Sequence, residues 1–340
     1  MSVLIELQNA TEVFGSARDA TVALDSFSLT VGGDVPSFTT VAGESGSGKT
    51  TLARILLGFL PPTSGRVLYE GKDLWKMSSA EWGRFRQDIQ AIFQDPFEVF
   101  NPFYRVDHLL NIAIEKFHLA KSREHSRHLV EESLVAVGLR PEDTLGRFPH
   151  QLSGGQRQRL TIARALLLHP RLIVADEPVS MVDASLRATI LENLRTLNTK
   201  FGISFLYITH DLTTAYQISD SIIVLYRGSV VEAGDVQQVI KEPQHPYTQL
   251  LVSSIPEPNV DHRWGDDQVP QAETQPASRV GCLFADRCPH VMPECLKSRP
   301  PLYRTSPRRA VACFLYRGAP TLSGADMSEV LSSTDAARPS

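Results

Sequence analysis

The chain has no apolar run approaching the ~20 residues that a helix needs to cross a bilayer, and its first ten residues carry neither a basic cluster nor a long apolar stretch. The sequence therefore predicts neither a membrane span nor a secretory leader, and a place in the cytoplasm. A basic excess is also lacking: 34 Lys and Arg stand against 38 Asp and Glu, for a formal net charge of −4. A protein that binds nucleic acid needs a positive face for the phosphates, so DNA and RNA are not expected as partners. Cysteine is scarce, with four in 340 residues, all between Cys282 and Cys313. In a reducing compartment such a cluster favours metal ligation over disulfides. No internal repeat is present. With 42% hydrophobic and 21% charged residues the composition is that of a globular chain, long enough for one large domain and an appendage.

From Leu4 to about Pro256 short apolar runs alternate with amphipathic stretches, the pattern of an α/β domain on a parallel sheet. Arg171 to Ala175 and Ser204 to Ile208 are continuous apolar runs, as expected of strands covered on both faces. Between about 102 and 168 the periodicity turns helical, notably in Leu109 to Leu119 and Glu124 to Val137, which predicts a helical subdomain. The expected organisation is a nucleotide-binding domain over 1–256, a Pro-, Asp- and Gln-rich linker over 257–279, a small cysteine-bearing unit over 280–316 and a disordered tail over 317–340.

Gly43-Glu-Ser45-Gly46-Ser-Gly48-Lys49-Thr50 fits the phosphate-loop pattern G-x-x-x-x-G-K-[ST]. A strand over Phe38 to Val41 precedes it and a helical stretch from Thr51 follows, which is the context the pattern needs. Glycines let the backbone N–H groups and the helix N-terminus turn towards phosphate oxygens. Lys49 is expected on the β- and γ-phosphates and the Thr50 hydroxyl on Mg²⁺. Farther on, Leu172-Ile-Val-Ala-Asp176-Glu177 delivers two carboxylates at the end of a buried strand, where open α/β sheets hold their ligands. Asp176 can hold the metal through its hydration shell, and Glu177 can take a proton from an attacking water.

Leu152-Ser153-Gly154-Gly155-Gln156, followed by Arg157-Gln158-Arg159, resembles the signature of ABC ATPases. Gln94 in Phe93-Gln-Asp-Pro96, His210 in Ile208-Thr-His-Asp211, and Asp183 after Glu177 match further motifs of that family in its order. The resemblance implies a RecA-like core with an antiparallel β subdomain and a helical subdomain, and an ATPase driving transport. It implies that Ser153 and Gly155 serve the ATP held by a second ATPase subunit, identical or paralogous. It also implies that Gln94 joins Thr50 near Mg²⁺ and links to two membrane-spanning permease subunits. His210 would contact the γ-phosphate, Asp183 would cross the dimer interface, and Phe14 lies near where the family stacks an aromatic on adenine. The chain would then sit on the cytoplasmic face of the membrane as a peripheral subunit.

Gln94-Asp-Pro through Asn101-Pro102, His245-Pro-Tyr-Thr248 and Ile255-Pro256 resemble the importers of peptides and nickel, which work with an extracytoplasmic solute-binding protein. Oligosaccharide and nickel-chelate importers are the near alternatives, and a soluble ABC ATPase of translation or DNA repair the distant one. That class shows two cassettes or a long coiled coil, which this sequence lacks. Ser180-Met-Val-Asp183 and Gly33-Asp-Val-Pro36 depart from the family pattern without removing a catalytic group. The gaps of five, six and seventeen residues between Cys282, Cys288, Cys295 and Cys313 match neither paired zinc spacing nor ferredoxin runs. Resemblance to peptide-import ATPases, through Gly281-Cys-Leu-Phe, Arg287-Cys-Pro and Val311-Ala-Cys313, implies a [4Fe–4S] cluster, with zinc as the alternative. Because the nucleotide motifs all precede Tyr247, ATP binding is expected to be independent of this segment.

Overall fold

The computed structural model describes residues 3–16, 19–33, 35–97, 99–255, 280–322 and 327–332. The expected linker and the end of the tail lie outside the described residues. In chain order the strands are β1 (Ile5–Phe14), β2 (Thr21–Val31), β3 (Phe38–Ala42), β4 (Ser64–Tyr69), β5 (Lys72–Asp73) and β6 (Ile89–Ile92). They continue with β7 (Leu172–Asp176), β8 (Ser204–Thr209), β9 (Ser221–Tyr226), β10 (Ser229–Asp235), β11 (Tyr303–Ser306) and β12 (Arg309–Val311). The helices are α1 (Lys49–Leu56), α2 (Ser79–Asp88), α3 (Asp107–Lys116), α4 (Arg123–Ala136), α5 (Pro141–Thr144) and α6 (Gly154–Leu166). After them come α7 (Ala184–Phe201), α8 (Leu212–Ile218), α9 (Val236–Lys241), α10 (Pro246–Ser253) and α11 (Met327–Leu331). Among the described residues no helix is long and apolar enough to cross a membrane.

One sheet is antiparallel, in the order β2-β1-β4-β5. The other runs β11-β12-β10-β9-β3-β8-β7-β6, and its five strands β9, β3, β8, β7 and β6 are parallel. Every residue of β3, β8 and β9 is buried, which is why β8 and β9 carry the continuous apolar runs Phe205 to Ile208 and Ile222 to Tyr226. On one face, Leu52, Ile55 and Leu56 of α1 pack between Leu7 and Leu29 of the antiparallel sheet and Val41, Val174 and Leu206 of the parallel one. On the other face, Leu110 of α3, Leu134 of α4 and Leu160 of α6 join Leu194 of α7 beneath Phe205. Of these helices α6 packs against β6, and α3 and α4 pack on α6 and on each other.

The cysteine-bearing segment does not stand apart from the core. β12 pairs antiparallel with β10, with Gly234 opposite Arg309. A Cβ on Gly234 would lie 2.2 Å from the Arg308 carbonyl oxygen, so only glycine permits the approach. The Arg309 guanidinium meets Glu232 at 2.6 Å with both side chains buried, and Glu232 also accepts the N–H groups of Gln244 and His245. One buried carboxylate therefore joins β10, β12 and the approach to α10.

The expectation of a disordered tail over 317–340 is corrected in part. Met327, Val330 and Leu331 recur on one face of α11 and are buried, and Arg304 pairs with Glu329 at 3.1 Å. Three apolar contacts on one helical face outweigh the polar composition around them. Removing Arg309 would leave Glu232 as a buried, under-compensated anion. Arg309→Met should destabilise the protein by about 3 kcal/mol, read as a lower urea midpoint; a loss below about 1 kcal/mol would show that the pair is dispensable.

Candidate functional site

The carboxyl ends of β3, β8 and β7 lie level, since Ala42 is opposite Thr209 and Asp176 opposite Ile208. The loops that follow them meet at one sheet edge. After β3 the chain turns through Gly43, Gly46 and Gly48, all at positive φ. A Cβ on Gly43 would lie 2.3 Å from the Leu225 carbonyl oxygen, and one on Gly48 2.2 Å from that of Ala23, so two of these glycines are required by packing as well as by φ. Ser45 and Gly46 are exposed at the crest of the loop, and Thr50 and Thr51 begin α1. The Lys49 ammonium donates to the carbonyl oxygens of Gly43 at 2.7 Å and Glu44 at 2.8 Å. Burial lowers the Lys49 pKa, and the carboxylates of Glu177, Asp176 and Glu44 oppose that shift.

Asp176 closes β7, and burial raises its pKa against a hydrogen bond from Thr50. Glu177 follows at φ 46, a left-handed conformation that costs a non-glycine residue about 1–2 kcal/mol. It is held there from three sides: its N–H donates to Ile208, its carbonyl accepts from Ser180, and its Oε1 lies 2.8 Å from His210 Nδ1. The Lys49 cation and the two carboxylates, distant in sequence, thus converge.

Gln94 is exposed after β6, in a segment whose bend is fixed by Asp95 accepting the Phe97 N–H at 2.7 Å. Two residues not singled out from sequence fasten this segment to the signature helix: the Arg157 guanidinium lies 3.7 Å from the centre of the Phe97 ring, and Gln158 donates to the Phe93 carbonyl. Ser153 caps α6 in a capping box, its hydroxyl accepting the Gln156 N–H while Gln156 accepts the Ser153 N–H. Gly155 is buried, and a Cβ there would lie 2.8 Å from Leu186 Cδ1. Ser153 and, at the start of α7, Asp183 are exposed. Phe14 ends β1 opposite Thr21, two positions from the Ala23 that backs Gly48, and is 42% exposed.

The four cysteines are free thiols, and all of them line one cavity of ≈ 10 Å³ with Phe284, His245 and Met292. Burial pushes the Cys313 thiol up to about 11, with the other three cysteines adding to the shift. Burial also pushes His245 down to about 4, so it stays neutral and accepts the Tyr247 N–H. Among the described residues no three His, Cys, Asp or Glu side chains are placed to hold a single metal ion. The cysteine-bearing segment touches the phosphate loop, where Arg287 grips the Glu44 carboxylate, and from α10 Tyr247 Oη accepts the Glu44 N–H. No short-range pattern announces these contacts.

The ABC transporter family model matches residues 28–180, and a model of the oligopeptide/dipeptide transporter C-terminal region matches residues 231–295. The chain is 41% identical over 279 residues to the oligopeptide transport ATP-binding protein OppF of Salmonella typhimurium, covering 80% of this chain and 82% of that protein. With OppF of Escherichia coli the identity is 40% over the same length, covering 80% and 82%. Among solved structures it resembles the ATP-binding cassette MJ0796 bound to ADP and Pi, with 29% identity, a TM-score of 0.60, and 68% of this chain and 99% of that one covered. It also resembles cbiO1 from Clostridium perfringens, with 25% identity, a TM-score of 0.61, and coverage of 71% and 92%. With the phosphate loop, the carboxylate pair and the signature helix in place, these similarities show that the chain belongs to the ABC ATPases of oligopeptide transport systems.

Proposed function

We propose that this chain hydrolyses ATP at Lys49, Thr50, Asp176 and Glu177 to power uptake of oligopeptides through partner membrane subunits. The observation that carries this reading is the convergence of the buried Lys49 ammonium on the Asp176–Glu177 pair at the end of β7. Two groups fit a magnesium ion: a half-buried carboxylate on Asp176 and the Thr50 hydroxyl bonded to it, both hard oxygen donors. Held by Asp176 and Thr50, magnesium would supply positive charge that offsets the negative charge of the phosphates. Lys49 turns from the loop carbonyls to those phosphates, while loop N–H groups and the N-terminus of α1 take up the remaining oxygens. Glu177 accepts a proton from the water that attacks the γ-phosphorus, and ADP leaves as the bond to its β-phosphate oxygen breaks. His210 holds Glu177 in line and faces the terminal phosphate; Gln94 completes the water and metal environment; Phe14 stacks on the adenine.

Ser153, Gly155 and Asp183 serve the nucleotide of a second copy or a paralogue. The exposure of Ser153 and Asp183 supports this, as does the dimeric cassette among the structural relatives. Exposed Phe93, Phe97, Phe103 and Tyr104 around Gln94 offer the permease subunits an aromatic contact surface on the cytoplasmic face of the membrane. An extracytoplasmic solute-binding protein would deliver the peptide, and the names of the relatives favour peptides over oligosaccharides or nickel chelates.

The reading of a polynuclear iron–sulfur centre rather than zinc rests on the family resemblance of the cysteine segment, and the gathering of all four cysteines around one small cavity supports a shared centre. Zinc requires four sulfurs at ~2.3 Å from one point, whereas in a [4Fe–4S] cluster each cysteine holds a different iron. Cys282, Cys288, Cys295 and Cys313 would bind it as thiolates, a charge state that burial disfavours at Cys282, Cys288 and Cys313 and that an iron centre would favour. Its contribution would be a cross-link across a short, loop-rich segment.

Glu177→Gln should keep ATP binding and lower kcat by about 10²- to 10⁴-fold; turnover near the parental rate would remove Glu177 as the base. Ser153→Arg should also be inactive alone, yet mixing it with Glu177→Gln should restore ATPase activity, because the mixed pair keeps one complete site. A mixture as inactive as its parts would refute the shared site. Protein purified without oxygen should carry about four iron and four sulfide per chain; stoichiometric zinc, or no metal at all, would overturn the cluster.

A further inference from the structure

Glu44, the second residue of the phosphate loop, is held through its main chain and its side chain at once. Its N–H donates to Tyr247 Oη at 2.8 Å, and its carbonyl accepts from Lys49 Nζ at 2.8 Å. Its carboxylate takes both outer nitrogens of Arg287, at 3.0 and 3.1 Å, in a two-pronged bond between residues 243 positions apart. Arg287 is itself fixed. Its guanidinium lies 5.6 Å from the centre of the Phe284 ring, and Phe284 is buried against Tyr226 and Tyr247. Arg227 ties down the same segment, through the Leu283 carbonyl at 3.1 Å and Asp286 at 3.0 Å.

Two physical consequences follow for phosphate binding. The loop must present its N–H groups together, and any freedom at Glu44 would have to be given up when the nucleotide binds. A carboxylate at the mouth of an anion site also repels phosphate unless a cation offsets it. Arg287 addresses both, since its planar fork fixes the direction of the carboxylate as well as its charge. We propose that Arg287 is a positioning residue for ATP binding: acting through Glu44, it holds the phosphate loop in its receptive form and makes the cysteine-bearing segment part of the nucleotide site. The inference rests on the ATP-binding role of the loop and not on what the cysteines hold.

The test titrates the full-length chain with a fluorescent, non-hydrolysed ATP analogue and Mg²⁺. Arg287→Ala should weaken binding about tenfold, and Arg287→Lys, which keeps the charge without the fork, about threefold. In a Glu44→Gln background the same Arg287→Ala change should alter Kd by less than about twofold, because its partner is gone. Coupling is reciprocal, so the analogue should slow amide hydrogen exchange over residues 282–295 in the parent chain and not in Arg287→Lys. An unchanged Kd in Arg287→Lys and Arg287→Ala would overturn the proposal. So would an equal loss in both Glu44 backgrounds, which would mark Arg287 as a support of the fold alone.

Discussion

The parallel pairing of β8 with β3 on one side and β7 on the other places the chemistry before any side chain acts. It levels Ala42, Thr209 and Asp176 at one edge, so that the phosphate loop, His210 and Glu177 emerge together from segments far apart in sequence. Parallel pairing requires long crossovers, and the helices that supply them cover both faces. The same burial that makes these strands apolar lowers the dielectric around the loops they end in. Charges there are costly to strand and strong when paired.

That electrostatic tension is visible in the side chains. Lys49 is 6% exposed and loses some of its hold on the proton through burial, yet three carboxylates stand near enough to oppose the loss. Glu177 sits in a strained backbone conformation that its partners enforce. Neither arrangement is what stability alone would choose, and both are relieved or exploited by a charged phosphate with its metal.

How much of this was legible in the sequence depends on distance along the chain. Gly43 to Thr51, Asp176-Glu177 and Leu152 to Gln156 are contiguous, and the conformations they need follow from glycine, capping residues and a buried strand. His210 came only through family resemblance, as a contact of the γ-phosphate; its pairing with Glu177 was not foreseen. Arg287 with Glu44, Tyr247 with Glu44, and Arg157 with Phe97 were invisible, because each depends on tertiary approach between segments with no common periodicity. Strands β11 and β12, four and three residues long, are too short to show alternation. Helix α11 is five residues in a polar stretch, and its three buried positions acquire meaning only against β2 and β10. The spacing of the cysteines said nothing of the single cavity they share.

The stacking of Arg157 on Phe97 has a mechanical side. Arg157 lies on the first turn of α6, one turn beyond Ser153, and Gln158 beside it holds the Phe93 carbonyl. A sideways push on residues 93–97 therefore cannot be absorbed locally; it is handed along a rigid helix to the serine at its tip. On the proposed shared site that tip would face the neighbour's nucleotide, and each chain would act as a lever whose load arm lies in the other.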